Sequence, residues 1–194
     1  MTNFQAVRLF MALSATLFLS GCFVTSRQIP AGQGPINDDA IVGDWRGVDA
    51  DNGKEESVFV HIQKPDAAKP LRVVFVEEKD YNIYELTTTQ TGAHKVFSAK
   101  VLGPEKAVQE SKGGSFLGYY EVKGNEARFW LLDANKVTTL IKAGKVKGNP
   151  GKSKYDFAEL TGNPAELASF LASDDGWNAR ADDPAILRRI TTLH

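Results

Sequence analysis

From Ile41 onward the chain breaks into short runs in which apolar and polar residues alternate, and the runs follow one another with turn residues between them. A period of two is that of a strand with one face buried, so this pattern predicts a mainly β domain. The runs are 41–48 (IVGDWRGV), 57–63 (SVFVHIQ), 71–78 (LRVVFVEE), 81–88 (YNIYELTT), 95–102 (KVFSAKVL), 116–123 (FLGYYEVK), 126–133 (EARFWLLD) and 155–160 (YDFAEL). Asp51-Asn52-Gly53 and Gly124-Asn125 are turn signals whose residues tolerate positive φ. The expected fold is an antiparallel barrel or sandwich of about eight strands.

Three segments carry helical spacing instead. Asn163-Pro164-Ala165-Glu166 offers an N-cap, a proline at the first helical position and a glutamate at the third. Leu167, Phe170 and Leu171 follow on one face, with an end near Ser173. Residues 135–143 (NKVTTLIKA) read as a single helix set between the last two strands. Asp183-Pro184 reads as the start of a short C-terminal helix with Ile186, Leu187 and Ile190 as its apolar side.

The amino end has a different logic. Residues 1–8 carry Arg8 as their only charged side chain, and residues 9–19 (LFMALSATLFL) are uncharged and mostly apolar. That run falls short of the ~20 residues needed to span a bilayer, and fits the apolar core of a signal peptide. Leu19-Ser20-Gly21-Cys22 follows, an aliphatic and two small residues before a cysteine, and resembles the bacterial lipobox. The resemblance implies cleavage between Gly21 and Cys22 and acylation of Cys22, which anchors the protein in membrane lipid. Three acyl chains at ~0.8 kcal/mol per buried methylene hold permanently. Phe23 stands where an aspartate would retain such a protein at the inner membrane, so the implied location is the envelope, at the outer membrane facing the periplasm. Cys22 is the only cysteine, which leaves the domain without an internal disulfide. Residues 22–40, rich in Gln, Gly, Pro, Ser and Asp, read as a lipidated flexible tether, and residues 41–194 as one domain.

Arg8 is the only charge that cleavage would remove, and the whole chain has a net charge of −1. That balance argues against a nucleic-acid partner, which requires clustered Lys and Arg. Gly43-Asp44-Trp45 at the head of the first strand looks like the Gly-x-Trp of lipocalin-type barrels, where the tryptophan closes one barrel end. Lipobox, tether, Gly-x-Trp, strand series, the 116–132 hairpin and then Glu166-Leu167 and Phe170-Leu171 together resemble a group of lipocalin-like bacterial lipoproteins. The resemblance implies a fold, either a closed barrel or a half-open sheet capped by helix, and no activity.

Catalytic patterns fail on spacing. Gly113-Gly114-Ser115-Phe116-Leu117-Gly118 puts its last glycine one residue too late for a nucleophile elbow. Gly151-Lys152-Ser153 has Val146 where a phosphate loop needs glycine. Asp49, Asp51 and Glu55 fall out of calcium-loop register, which puts Lys54 at the glycine position and Val60 at the glutamate. His61, His94 and His194 lack metal-ligand spacing, and no cofactor is implied. Asp174-Asp175 and Asp182-Asp183, which flank Trp177, read as helix caps and solvated carboxylates.

Two readings of function remain. If the domain holds a small apolar molecule or lipid, Phe59, His61, Tyr119 and Tyr120 are the candidate lining residues. If it contacts envelope proteins, the core should be filled and an apolar patch exposed. Residues 71–76 and 129–132 are apolar on both faces and so need cover on both, from core and helix or from core and ligand.

Overall fold

A computed structural model describes residues 23–32, 37–66, 69–151 and 157–191. Residues 1–21, read above as a signal peptide, and Cys22 lie outside these residues. The described strands are β1 (Val24–Ser26), β2 (Gly43–Val48), β3 (Glu55–Gln63), β4 (Leu71–Glu77), β5 (Asp80–Thr91), β6 (His94–Gly103), β7 (Ser115–Lys123), β8 (Glu126–Leu131), β9 (Gly148–Asn149), β10 (Ala158–Leu160) and β11 (Ala185–Arg189). Four helices join them: α1 (Glu105–Glu110), α2 (Ala134–Lys142), α3 (Pro164–Ala172) and α4 (Asp174–Asn178).

Eight strands close into a ring, β6-β5-β4-β3-β2-β11-β8-β7, with every neighbouring pair antiparallel and β6 paired back to β7. This settles the choice between barrel, sandwich and half-open sheet in favour of a closed barrel. Closure matters physically because it leaves no exposed strand edge. Alternation then sorts the side chains into two cores. Trp45, Val60, Ile62, Leu71, Leu86 and Phe97 fill the lumen. Val96, Leu117, Tyr119 and Trp130 point outward from β6, β7 and β8, and with Leu132 just after β8 they lie beneath Val137 of α2 and Leu167, Phe170 and Leu171 of α3.

Local signals account for much of this. α3 has the expected capping box: Asn163 Oδ1 accepts from the Ala165 and Glu166 amides at 3.0 Å each, and Glu166 Oε2 accepts from the Asn163 amide at 2.9 Å. The β7–β8 hairpin turns at Gly124-Asn125, with Gly124 at φ +59°. At one end of the barrel, Trp45 is fully buried and its indole N–H donates to the Ile41 carbonyl at 2.8 Å. The Arg189 guanidinium lies 4.2 Å from the Trp45 ring centroid and donates to the Val42 and Ala40 carbonyls at 2.6 and 2.5 Å. Gly43 has φ +134°, and a Cβ there would stand 2.5 Å from Arg189 Nη1. The glycine of the Gly-x-Trp triplet therefore makes room for the arginine that covers the tryptophan.

Three expectations are corrected. Residues 183–190 do not begin a helix. They hold β11, with Leu187 turned into the lumen and Ile186 outward, because the ring closes only by a strand between β2 and β8. A short apolar run fits both periods, and tertiary pairing decides. The strand expected at 155–160 is β10 in its described part, and it lies outside the barrel, paired with β1 and β9. The tether expected over 22–40 is structured where it is described. Val24 and Ser26 are 1% and 0% exposed, and β1 pairs with both β7 and β10. Three residues of strand whose partners lie 89 to 134 positions away give no local signal.

Gly43→Ala should lower stability, through strain at positive φ and collision with Arg189. In an Arg189→Ala background the same substitution should cost less, by at least about 0.5 kcal/mol of coupling in a double-mutant cycle read by urea denaturation. Purely additive losses would show that the two residues do not share this space.

Candidate functional site

The four candidate lining residues fall in three separate places. Phe59 and His61 are on the outer face of β3, because Val58, Val60 and Ile62 take the lumen side. This corrects their assignment to a cavity wall. His61 Nδ1 and Asp44 Oδ1 lie 2.7 Å apart on the open surface. Tyr119 points outward under the helices, fully buried, and its hydroxyl donates to the Leu171 carbonyl at 3.0 Å. Burial raises its pKa well above the usual phenol range. Tyr120 points into the lumen, stacks on Phe129 at 5.8 Å, and donates to Asp38 Oδ2 at 3.1 Å. The two tyrosines occupy opposite faces as alternation requires, and each spends its hydroxyl inside the protein.

Asp38 ties the chain entering the barrel to the closed end. Its amide donates to Thr88 Oγ1 at 2.9 Å, and its carboxylate receives Lys95 Nζ at 2.6 Å. Partial burial alone would raise the Asp38 pKa. The Lys95 ammonium, the Ala40 amide and the Tyr120 hydroxyl outweigh it and hold the carboxyl below its usual range. At the opposite end the balance reverses. Glu56 is raised by burial and then by Asp49 and Glu77, while Glu77 is raised by burial and then by Glu78 and Asp80.

The lumen leaves its own side chains little room. A Cβ on Gly118 would meet the Trp130 carbonyl oxygen at 2.2 Å and the Phe97 ring at 2.7 Å, and one on Gly47 would meet Val58 Cβ at 2.7 Å. Two clefts among the described residues are well defined. One, of about 240 Å³, runs beside His94, Lys95, Tyr120, Val122 and Trp177 on the rim. There the Trp177 indole stacks parallel to His94 at 4.3 Å and holds the Arg180 guanidinium at 3.8 Å. The other, of about 180 Å³, lies between β1 and the turn after α1. Both fall below the ~300 Å³ at which ligand pockets usually begin.

The apolar surface the sequence left over divides between the two sides of the barrel. Trp130 of β8 and Leu132 just after it are covered by the helix layer, as a strand apolar on both faces requires. Val74 and Val76 of β4 remain half-exposed on the outside. Register aligns Phe59, Val76 and Tyr81 in one row across β3, β4 and β5, with Val74 and Ile83 in the next row beside His61. Tyr81 is 52% exposed. The first row continues onto β2 and β11 as Arg46 and Arg188, which face each other directly across the strand pair. Among the described residues neither arginine makes an ion pair. Like charges directly opposite each other destabilise a sheet, and on its other side Arg188 faces Glu126 of β8, whose carboxylate is held by Arg128 at 2.8 Å. Sequence reading found Phe59 and the β4 valines but gave them the wrong partners. Arg46 and Arg188 are 142 positions apart and show no motif.

The closed antiparallel eight-strand barrel is compatible with a lipocalin-like fold. No protein family, curated protein or solved structure matches the chain. Among the described residues no group of three His, Cys, Asp or Glu side chains could hold a metal ion.

The two carboxylate environments have opposite linkage signs. A lowered Asp38 pKa gives stability that is present above the unfolded value of about 3.9 and is lost as pH falls through the folded value. Raised Glu56 and Glu77 pKa values are a liability above their folded values, removed as pH falls below the unfolded value of about 4.3. Asp38→Asn should therefore lower Tm at pH 7 and flatten the loss of stability in acid. Glu77→Gln should raise Tm at pH 7, with the gain vanishing near pH 4. Thermal melts from pH 3 to 8 check both signs.

Proposed function

We propose that this chain is an envelope lipoprotein, acylated at Cys22, whose barrel docks an envelope protein through its bare outer face over β3, β4 and β5. The observation that carries the reading is the row Arg188-Arg46-Phe59-Val76-Tyr81: a half-exposed aromatic and aliphatic centre beside two arginines that face each other without an ion pair, with Glu126 next along the row opposite Arg188. Interface cores favour aromatic residues and arginine, and an exposed apolar patch on an otherwise well-packed domain marks a contact surface. The fitting partner presents apolar side chains flanked by carboxylates. A lumen ligand is the weaker reading, because the lumen side chains pack against one another and the candidate tyrosines are already engaged. The role is non-catalytic and placed at the outer membrane, on the strength of the lipobox and of Phe23 after the cysteine.

A photo-crosslinking residue at position 81, introduced in cells that make the full chain, should give a discrete protein adduct. The same group at Lys142, at the end of α2 on the helix-covered side, should give none. Arg46→Glu with Arg188→Glu should reduce the position-81 adduct at least tenfold while the thermal midpoint stays within a few degrees. An unchanged adduct in the double variant would rule out this face. Cys22→Ala should abolish both signal-peptide removal and detergent partitioning, and a variant that still matures and partitions would refute the anchor.

A further inference from the structure

The first described residue, Phe23, is already part of the fold. It bridges to Asp133, and its carbonyl accepts from the Ala158 amide at 3.3 Å. Val24, next in the chain, is 1% exposed. Cys22 is the residue immediately before Phe23 in the sequence. An acyl anchor on Cys22 thus has no length of free chain between it and the barrel.

What surrounds that attachment point is aromatic and basic. The Phe23 ring meets Phe116 edge-on at 5.4 Å and stacks with Phe157 at 6.3 Å. All three rings are only partly buried. The exposed Lys112 places Nζ 5.8 Å from the Phe157 ring centroid. Beside it, the 180 Å³ cleft takes in Lys112 and Arg27, the latter 73% exposed and paired with Glu159 at 3.2 Å. Aromatic rings at headgroup depth with cations facing the phosphates are the composition of a membrane interface.

We propose that the barrel rests directly on an anionic phospholipid bilayer through the face formed by Phe23, Phe116, Phe157, Lys112 and Arg27, without a tether. The proposal rests on acylation of Cys22, part of the reading above. It adds an orientation. β1 pairs with β7, and β3 lies across the ring from β7 with β4 beside it, so the part of the docking face over β3 and β4 is turned away from the lipid and toward partners. The anchor and the docking face then belong to opposite sides of one rigid body.

Cys22 is the only cysteine, and a thioether occupies its sulfur, so an introduced cysteine is a unique labelling site. The mature acylated chain is reconstituted in vesicles of phosphatidylethanolamine and phosphatidylglycerol containing nitroxide-headgroup lipid. A fluorophore is placed in turn at Lys112→Cys, Arg27→Cys and Tyr81→Cys. The expected result is quenching several-fold stronger at 112 and 27 than at 81. Equal weak quenching at all three, or stronger quenching at 81, overturns the orientation. The intact mass before reconstitution separates the two failures. A chain without acyl mass refutes the lipoprotein reading and this proposal with it, whereas an acylated chain without the quenching difference refutes only the direct seating.

Discussion

The lock formed by Arg189 over Trp45 joins the two ends of the barrel. β2 and β11 are the first and last strands of the ring, and Arg189 reaches carbonyls 147 and 149 positions earlier in the chain. Closing a loop of that length costs on the order of 4–5 kcal/mol of chain entropy. Two hydrogen bonds from a charged donor, about 1.5–3 kcal/mol each, and a cation–π contact of about 0.5–2 kcal/mol are of matching size. The ladder bonds between β2 and β11 then come on top of a closure already offset. The same residues shut one end of the lumen, so ring closure and end closure are a single event.

Given that ring, the rest of the architecture follows from which parts of the outer wall need cover. β6, β7 and β8 carry Val96, Leu117, Tyr119 and Trp130 outward, and the chain answers with α2, α3 and the β1–β10 pair. β3, β4 and β5 also carry apolar side chains outward but are left half-exposed, with arginines rather than a helix beside them. A barrel packed inside and covered on one side has one broad surface left for recognition. On the docking reading proposed above, specificity resides on the external face and not in the lumen.

The sequence revealed elements whose signals are local. Alternation located seven of the eight ring strands, the Asn163 capping box located α3, and Gly124-Asn125 located the tightest hairpin. It did not reveal β11, because AILRR is too short to separate a period of 2 from one of 3.6. Nor did it reveal β1, whose only structural content is its pairing with segments at 115–116 and 158–160. Phe59 and His61 were singled out correctly as one face of a strand, but alternation does not say which face is inside. Val58, Val60 and Ile62 on the other face settle that by their greater apolar bulk. Gly43 and Trp45 were legible as a pair, and Arg189, which explains the glycine, was not, because a lone arginine at a strand end carries no pattern.

That recognition belongs to the outside of a filled barrel is tested most directly by native mass spectrometry, followed by denaturation, of the protein purified from cells as a processed, exported chain. The account predicts that no small molecule beyond covalent acylation accompanies it, and that added lipids or apolar fluorescent probes are not taken up. A stoichiometric extra mass that disappears on denaturation would contradict it, showing that the lumen opens to a ligand and that its walls, not the β3–β5 face, carry the function.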